Sequence, residues 1–169
     1  MQCRKVIAIA ACDPNGVIGK GGVLPWDLKE ERDHFSAMIG QFPIVMGRKT
    51  FESIPHHYLQ SRPVIVLSRT ISSRDSNVIF VSSLESFLML PIRDQLLFVI
   101  GGAAIYSLFL LENLIDEFIL TQIKECYPGD TFFPLHLIKR WTKQCIRDVD
   151  GFTIYRYLPP ASIEMRRVP

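Results

Sequence analysis

The sequence predicts an α/β domain: a mainly parallel central sheet of about eight strands, flanked by about four helices, with an antiparallel C-terminal edge strand. Three observations carry that expectation. Short runs rich in Val, Ile and Phe are continuously apolar rather than alternating, as in strands covered on both faces. As far as residue 111 these runs alternate with segments of helical spacing, the rhythm of a parallel sheet. Beyond it, apolar runs follow one another without helices between them, as in antiparallel pairing.

In order, the strand-like runs lie at 5–11, 43–46, 63–68, 78–81 and 96–100. Helical spacing occupies 28–38, 49–53, 84–90 and 103–111, each between two of the strands. Three further strands are expected at 118–123, 141–146 and 152–158, the last two separated by the turn signal Asp150-Gly151. Pro159-Pro160 closes the pattern, so the expected division is one domain over 1–160 and a tail over 161–169.

Composition agrees with a single buried core. The chain has 169 residues, 48% of them hydrophobic, enough for a domain that needs neither metal nor disulfide staple. A formal net charge of +2 excludes an extended disordered chain. The sequence pI near 8.4 is too mild to advertise a nucleic-acid groove. The longest near-apolar run, 96–111, is interrupted by Gly101-Gly102 and is too short for a bilayer span of roughly 18–20 residues. Residues 1–5 lead straight into a strand with no secretory h-region, and the four cysteines form no Cys-x-x-Cys. Reduced thiols in a cytoplasmic protein are the expectation. Cys12 and Cys126 read as small core hydrophobes.

Ligands of open α/β sheets sit at the carboxyl ends of parallel strands. Three such junctions carry phosphate-friendly chemistry. Gly47-Arg48-Lys49-Thr50 follows the second strand and opens a helix beside two cations. Ser68-Arg69-Thr70 follows the third. Gly101-Gly102 follows the fifth and opens another helix, where glycines let backbone approach a pyrophosphate. Each junction alone reads as an ordinary turn; together they point to a polyphosphate ligand. The P-loop and G-x-G-x-x-G spacings are both absent. The cations at Arg48, Lys49 and Arg69 would suit an additional phosphate on a ribose.

The other feature is a misplaced acid. On the helix over 28–38 the apolar face runs through Leu28, Phe35, Met38 and Ile39, and Glu31 lies three residues after the first and four before the second. It therefore shares that face. Either its head reaches water at the edge of the face, or it is buried for a task. The preceding loop, 15–22, is glycine-rich and ends in Leu24-Pro25-Trp26, a segment able to close over a site. Glu31-x-x-His34 occurs once and does not make a metal site, and His56-His57 reads as a solvated loop; no metal is expected.

The ordered set Ile18-Gly19, Leu24-Pro25-Trp26, Glu31, Phe35 and 46–54 (MGRKTFESI) resembles the bacterial dihydrofolate reductases. Residues 65–69 (IVLSR), Val99-Ile100-Gly101-Gly102 with Tyr106, Leu120-Thr121 and 129–134 (GDTFFP) extend the resemblance from about residue 5 to 158. It implies NADPH-dependent reduction of 7,8-dihydrofolate to tetrahydrofolate, in support of one-carbon and thymidylate metabolism. It also implies a monomer, sensitivity to diaminopyrimidine and pteridine antifolates, and no nucleic-acid or membrane partner.

By position, the resemblance makes Glu31 the active-site acid, with Thr121 bonded to it, Trp26 helping to hold an ordered water and Leu24 in the closing loop. Ile9, Ala10, Phe35, Ile54 and Leu59 would line the substrate pocket with Arg32, Ile100 and Tyr106. Arg62 would bind the α-carboxylate of the substrate's glutamate tail. Ala11, Ile18, Gly19, Ile100 and Tyr106 would flank the nicotinamide. Gly47, Arg48, Lys49, Thr50, Leu67, Ser68, Arg69, Ser82 and Thr131 would hold the rest of the cofactor, together with Gly101, Gly102, Ala103 and Ala104. A cis peptide between Gly101 and Gly102 is implied as well.

Two departures stand out. Gln60-Ser61-Arg62 replaces the usual Pro-Gly-Arg and comes one residue late, and Arg32 occupies a position that is apolar in the family. Two other functions share these features: an NADPH reductase of a riboflavin-pathway pyrimidine, and a nucleotide-binding module without catalysis. The pyrimidine reductase would not need Leu24-Pro25-Trp26 and Glu31.

Overall fold

The computed structural model describes residues 5–70, 76–93 and 96–161. Cys3 and the tail beyond Ala161 lie outside them. Eight strands form one sheet. In chain order they are β1 (Lys5–Cys12), β3 (Ile44–Gly47), β4 (Val64–Leu67), β5 (Val78–Val81), β6 (Leu96–Val99), β7 (Glu117–Ile123), β9 (Thr142–Asp148) and β10 (Phe152–Leu158). A separate pair joins β2 (Val17–Gly19) to β8 (Thr131–Phe132).

The sheet order is β5-β4-β3-β6-β1-β7-β10-β9. Every pairing from β5 to β7 is parallel, and β10 is antiparallel to both of its neighbours. The reversed strand therefore sits one in from the edge. The continuous apolar runs are explained by burial: Ile44, Val45, Met46, Val64, Ile65 and Val66 are wholly inaccessible. Edge strand β9 is exposed along its whole length, consistent with its polar composition.

Four helices cover the sheet: α1 (Lys29–Ile39), α2 (Arg48–Ser53), α3 (Leu84–Leu88) and α4 (Ala103–Leu111). Two-residue alternation along the strands divides the core in two. Ile7, Ile9, Phe98, Ile100, Ile119 and Ile123 pack with residues of α1 and α2. Ala8, Ala10, Cys12, Leu97, Val99, Phe118 and Leu120 pack on the other face with α3 and α4. At the start of β7 the buried carboxylate of Glu117 accepts from Lys5 Nζ at 2.7 Å and Arg156 Nη2 at 3.0 Å, closing the β1–β7–β10 seam. Cys12 is buried as expected. Cys126 is exposed instead, in the loop after β7 between Glu125 and Tyr127, where charged and Pro neighbours hold the backbone at the surface.

Candidate active site

The helix α1 starts after Leu28, which makes no side-chain cap, and turns its apolar face to the sheet. Glu31 is carried into that interface and is only 6% exposed. Burial disfavours the charged carboxylate and pushes its pKa from 4.5 up to about 7. The buried reading of Glu31 is therefore the one the structure shows. Trp26 is buried beside it, and its indole Nε1–H has no acceptor in hydrogen-bonding geometry. That N–H still pulls the Glu31 value partly back down.

Around this acid the sheet supplies an apolar wall. Ile9 from β1, Ile100 after β6 and Leu59 are buried, and Phe35 and Ile54 are half-buried in the same cluster. Ala11 borders that cluster. Thr121 is buried in β7, in register with Ala11 and Ile154, on the face that carries Ile119 and Ile123. Among the described residues no hydrogen bond joins it to Glu31. Ala10 and Tyr106 pack on the opposite face, where the Tyr106 hydroxyl donates to the Ile9 carbonyl at 2.7 Å.

At the pocket mouth Tyr58 meets Phe35 edge-on, with centroids 5.2 Å apart, and its hydroxyl accepts from Ser36 Oγ at 3.2 Å. His57 lies over the Tyr58 ring at 4.1 Å. This bracket is not legible in the sequence, because residues 56–58 form a short 3-10 turn and Tyr58 meets α1 only through tertiary contacts with Phe35 and Ser36. Arg62 is buried, with Nη1 donating to the Ile39 carbonyl at 3.4 Å and Nε without a partner. Burial lowers its pKa. Arg32 remains half-exposed at the mouth, and its guanidinium pairs with Asp27.

The phosphate-friendly junctions gather at the carboxyl edge of the parallel strands. The N–H of Gly47 donates to the Gly101 carbonyl at 2.8 Å, tying the ends of β3 and β6 together. The Gly101–Gly102 peptide is cis. Gly102 caps α4 without a side-chain hydrogen bond, which leaves the first helical N–H groups turned outward beside Ala103 and the exposed Ala104. A Cβ on Gly102 would come 3.2 Å from Thr50 Oγ1, a close approach that the hydroxyl would have to yield to. Arg48 shares its charge with Glu52 at 3.0 Å, whereas Lys49 and Arg69 are exposed. Leu67 and Ser68 are half-buried at the end of β4, and Ser82 is exposed after β5. Free helix N–H groups, glycine backbone and three nearby cations fit a dinucleotide carrying an extra phosphate.

The loop before α1 is more tightly built than its glycines suggested. Gly21 and Gly22 both have positive φ, at 59° and 85°, between the mutually bonded Lys20 and Val23. This is the geometry of a type I′ turn. Gly21 N–H donates to Asp130 Oδ2 at 2.8 Å, and Asp130 N–H to the Gly19 carbonyl at 3.0 Å. Thr131 Oγ1 donates to Asp130 Oδ1, and half-buried Ile18 stands in β2 just before the tied Gly19. Leu24 projects from the loop, 48% exposed.

Residues 5–150 match the family model of dihydrofolate reductase. The chain belongs to the dihydrofolate reductase family. It is an NADPH-dependent oxidoreductase that reduces 7,8-dihydrofolate to tetrahydrofolate. Among relatives, the dihydrofolate reductase of Candida albicans is 37% identical over 163 residues, covering 86% of this chain and 83% of that one. That of Neisseria meningitidis is 35% identical over 130 residues, covering 77% and 79%. A solved dihydrofolate reductase from Enterococcus faecalis, complexed with NADP(H) and RAB-propyl, matches with a TM-score of 0.77. It is 29% identical and covers 91% of this chain and 95% of that one. No described helix is long and apolar enough to cross a membrane. Among the described residues no His, Cys, Asp and Glu cluster could hold a metal ion.

Proposed function

We propose that dihydrofolate binds in the cleft between α1 and the sheet with Glu31 as the ionisable anchor of its pterin ring. The burial of that carboxylate and its pKa near 7 carry this reading. When ionised, Glu31 accepts two hydrogen bonds from an amidine-like pterin edge. Near neutral pH it exchanges its proton readily, as a group on the route to the pterin N5 must. Thr121 and Trp26 hold the polar end of the cleft, and Phe35, Ile54, Leu59, Ile9 and Ile100 clasp the ring and the aminobenzoyl group. Arg62, buried and short of acceptors, takes the α-carboxylate of the tail. Arg32 reaches the same tail only in competition with Asp27.

NADPH supplies the hydride when bound. The Gly101-Gly102 cradle and the first turn of α4 hold its pyrophosphate, while Arg48, Lys49, Thr50, Ser68 and Arg69 hold the ribose phosphate. Gly47, Leu67, Ser82, Ala103, Ala104 and Thr131 complete the cofactor groove, and Ala11, Ile18, Gly19, Ile100 and Tyr106 flank the nicotinamide. Diaminopyrimidine and pteridine antifolates present the same hydrogen-bonding edge to Glu31 and compete with substrate. We further propose a cytoplasmic monomer whose single domain spans 1–160. The test is Glu31→Gln: turnover at neutral pH should collapse with NADPH affinity preserved, and near-normal kcat would overturn the assignment.

A further inference from the structure

One buried carboxylate has no part in the binding scheme above. Asp13 follows β1 directly and is wholly inaccessible to solvent. Its Oδ1 accepts from Asn15 N–H at 2.9 Å and from Val17 N–H at 2.8 Å. Its Oδ2 accepts from Tyr127 N–H at 2.9 Å. The backbone closes the same turn, with Asp13 N–H donating to the Val17 carbonyl at 3.1 Å and Gly16 N–H to the Asp13 carbonyl at 3.0 Å. Among the described residues no cation pairs with the carboxylate, which accepts from three peptide N–H groups. A buried carboxylate is costly unless fully bonded, so a side chain placed here fixes the segments it bonds.

Those segments are the two that frame the cleft. Val17 opens β2 and leads through Ile18 into the closing loop. Its methyls press on Gly129, where a Cβ would lie 2.2 Å from Val17 Cγ1. On the other side, the Tyr127 ring packs edge-on against Trp26 with centroids 5.7 Å apart. The two oxygens of Asp13 thus address different segments: Oδ1 the turn into the closing loop, Oδ2 the loop after β7 that supports the aromatic beside Glu31.

We propose that Asp13 is a positioning residue for hydride transfer. Through its bond to Tyr127 it registers the closing loop against the Trp26 wall. It touches neither substrate nor cofactor and acts through the geometry of both elements. The inference rests on the proposed reading of the cleft.

Asp13→Asn and Asp13→Ala separate positioning from simple stabilisation. The Asn amide oxygen keeps both bonds to Asn15 and Val17 but turns an NH2 toward Tyr127 N–H, whereas Ala loses all three bonds. The readouts are Tm and the single-turnover hydride-transfer rate with both ligands saturating, measured well below each Tm. The proposal expects Asn to retain more of the Tm than Ala, yet to transfer hydride as slowly as Ala, about tenfold or more below wild type. A wild-type transfer rate in folded Asp13→Asn would overturn it. If neither variant folds, Tyr127→Leu decides, because it keeps the peptide N–H and removes only the ring against Trp26. A slowed transfer rate supports the coupling, and an unchanged one refutes it. Glu31→Gln in parallel distinguishes the two levels: normal turnover there sinks the reading of the cleft, whatever the Asp13 variants do.

Discussion

Tyr106 occupies the space that a side chain on Gly101 would need. A Cβ on Gly101 would lie 2.8 Å from Tyr106 Cε2, and the glycine holds φ at +104°. Tyr106 cannot move aside freely, because its hydroxyl is bonded to the Ile9 carbonyl and its ring packs on Phe118 and Phe133. Gly101→Ala should therefore cost about 2–5 kcal/mol, combining a left-handed backbone with overpacking. Urea unfolding measures this, and a loss below about 1 kcal/mol would mean that the ring yields.

Tyr106→Phe keeps the ring and strands the Ile9 carbonyl. A loss of about 1–3 kcal/mol is expected, the cost of an unsatisfied buried acceptor. Thermal unfolding checks it; an unchanged Tm would show that the carbonyl finds another donor.

Glu31 couples stability to pH. In the folded protein it keeps its proton up to about 7, against an ordinary value of 4.5. Across that interval the folded state binds more protons than the unfolded chain, so the free enzyme loses stability as pH rises. The rise corresponds to about 3 kcal/mol. Glu31→Gln should flatten this slope and make the free protein more stable than wild type at pH 8, with little difference at pH 4. Equal slopes in denaturation at the two pH values would contradict the burial argument.

Cofactor choice follows from charge. Lys49 and Arg69 are exposed and Arg48 has only a surface partner in Glu52, leaving cations available for a ribose phosphate. NADPH should be preferred over NADH, and Arg69→Ala should lose affinity for NADPH alone, by about 1.5–3 kcal/mol. Equal kcat/KM for the two cofactors would refute it.

Arg32 pairs with Asp27, and in the proposed binding mode an anionic substrate tail competes with Asp27 for the guanidinium. Asp27→Asn should lower KM for dihydrofolate and Arg32→Leu should raise it. If neither moves KM by more than about twofold, roughly 0.4 kcal/mol, Arg32 serves only the surface.

What the sequence made legible is what depends on local pattern. The bounds of α4 follow from the glycine pair and the apolar run, and the spacing to Leu28 and Phe35 puts Glu31 on the apolar face, whereas its burial is decided only by the packing of α1 on the sheet. The pairing of β2 with β8 is invisible in the sequence, since strands of three and two residues carry no periodicity and their register, Val17 with Phe132 and Gly19 with Thr131, joins distant parts of the chain. Asp13 carries no signal in the sequence, because its bond to Tyr127 spans 114 positions. Cys126 was misjudged as core, although Lys124, Glu125 and Pro128 around it were signals of an exposed loop.

The reaction expected of this cleft is reduction of dihydrofolate by NADPH, with Glu31 as the proposed anchor. The direct measurement is the loss of NADPH absorbance on mixing the purified protein with dihydrofolate, beside a riboflavin-pathway pyrimidine and a no-substrate control. Rapid loss with dihydrofolate alone, abolished or strongly reduced in Glu31→Gln, is the predicted result. Loss with the pyrimidine instead, or cofactor binding with no loss at all, would contradict it.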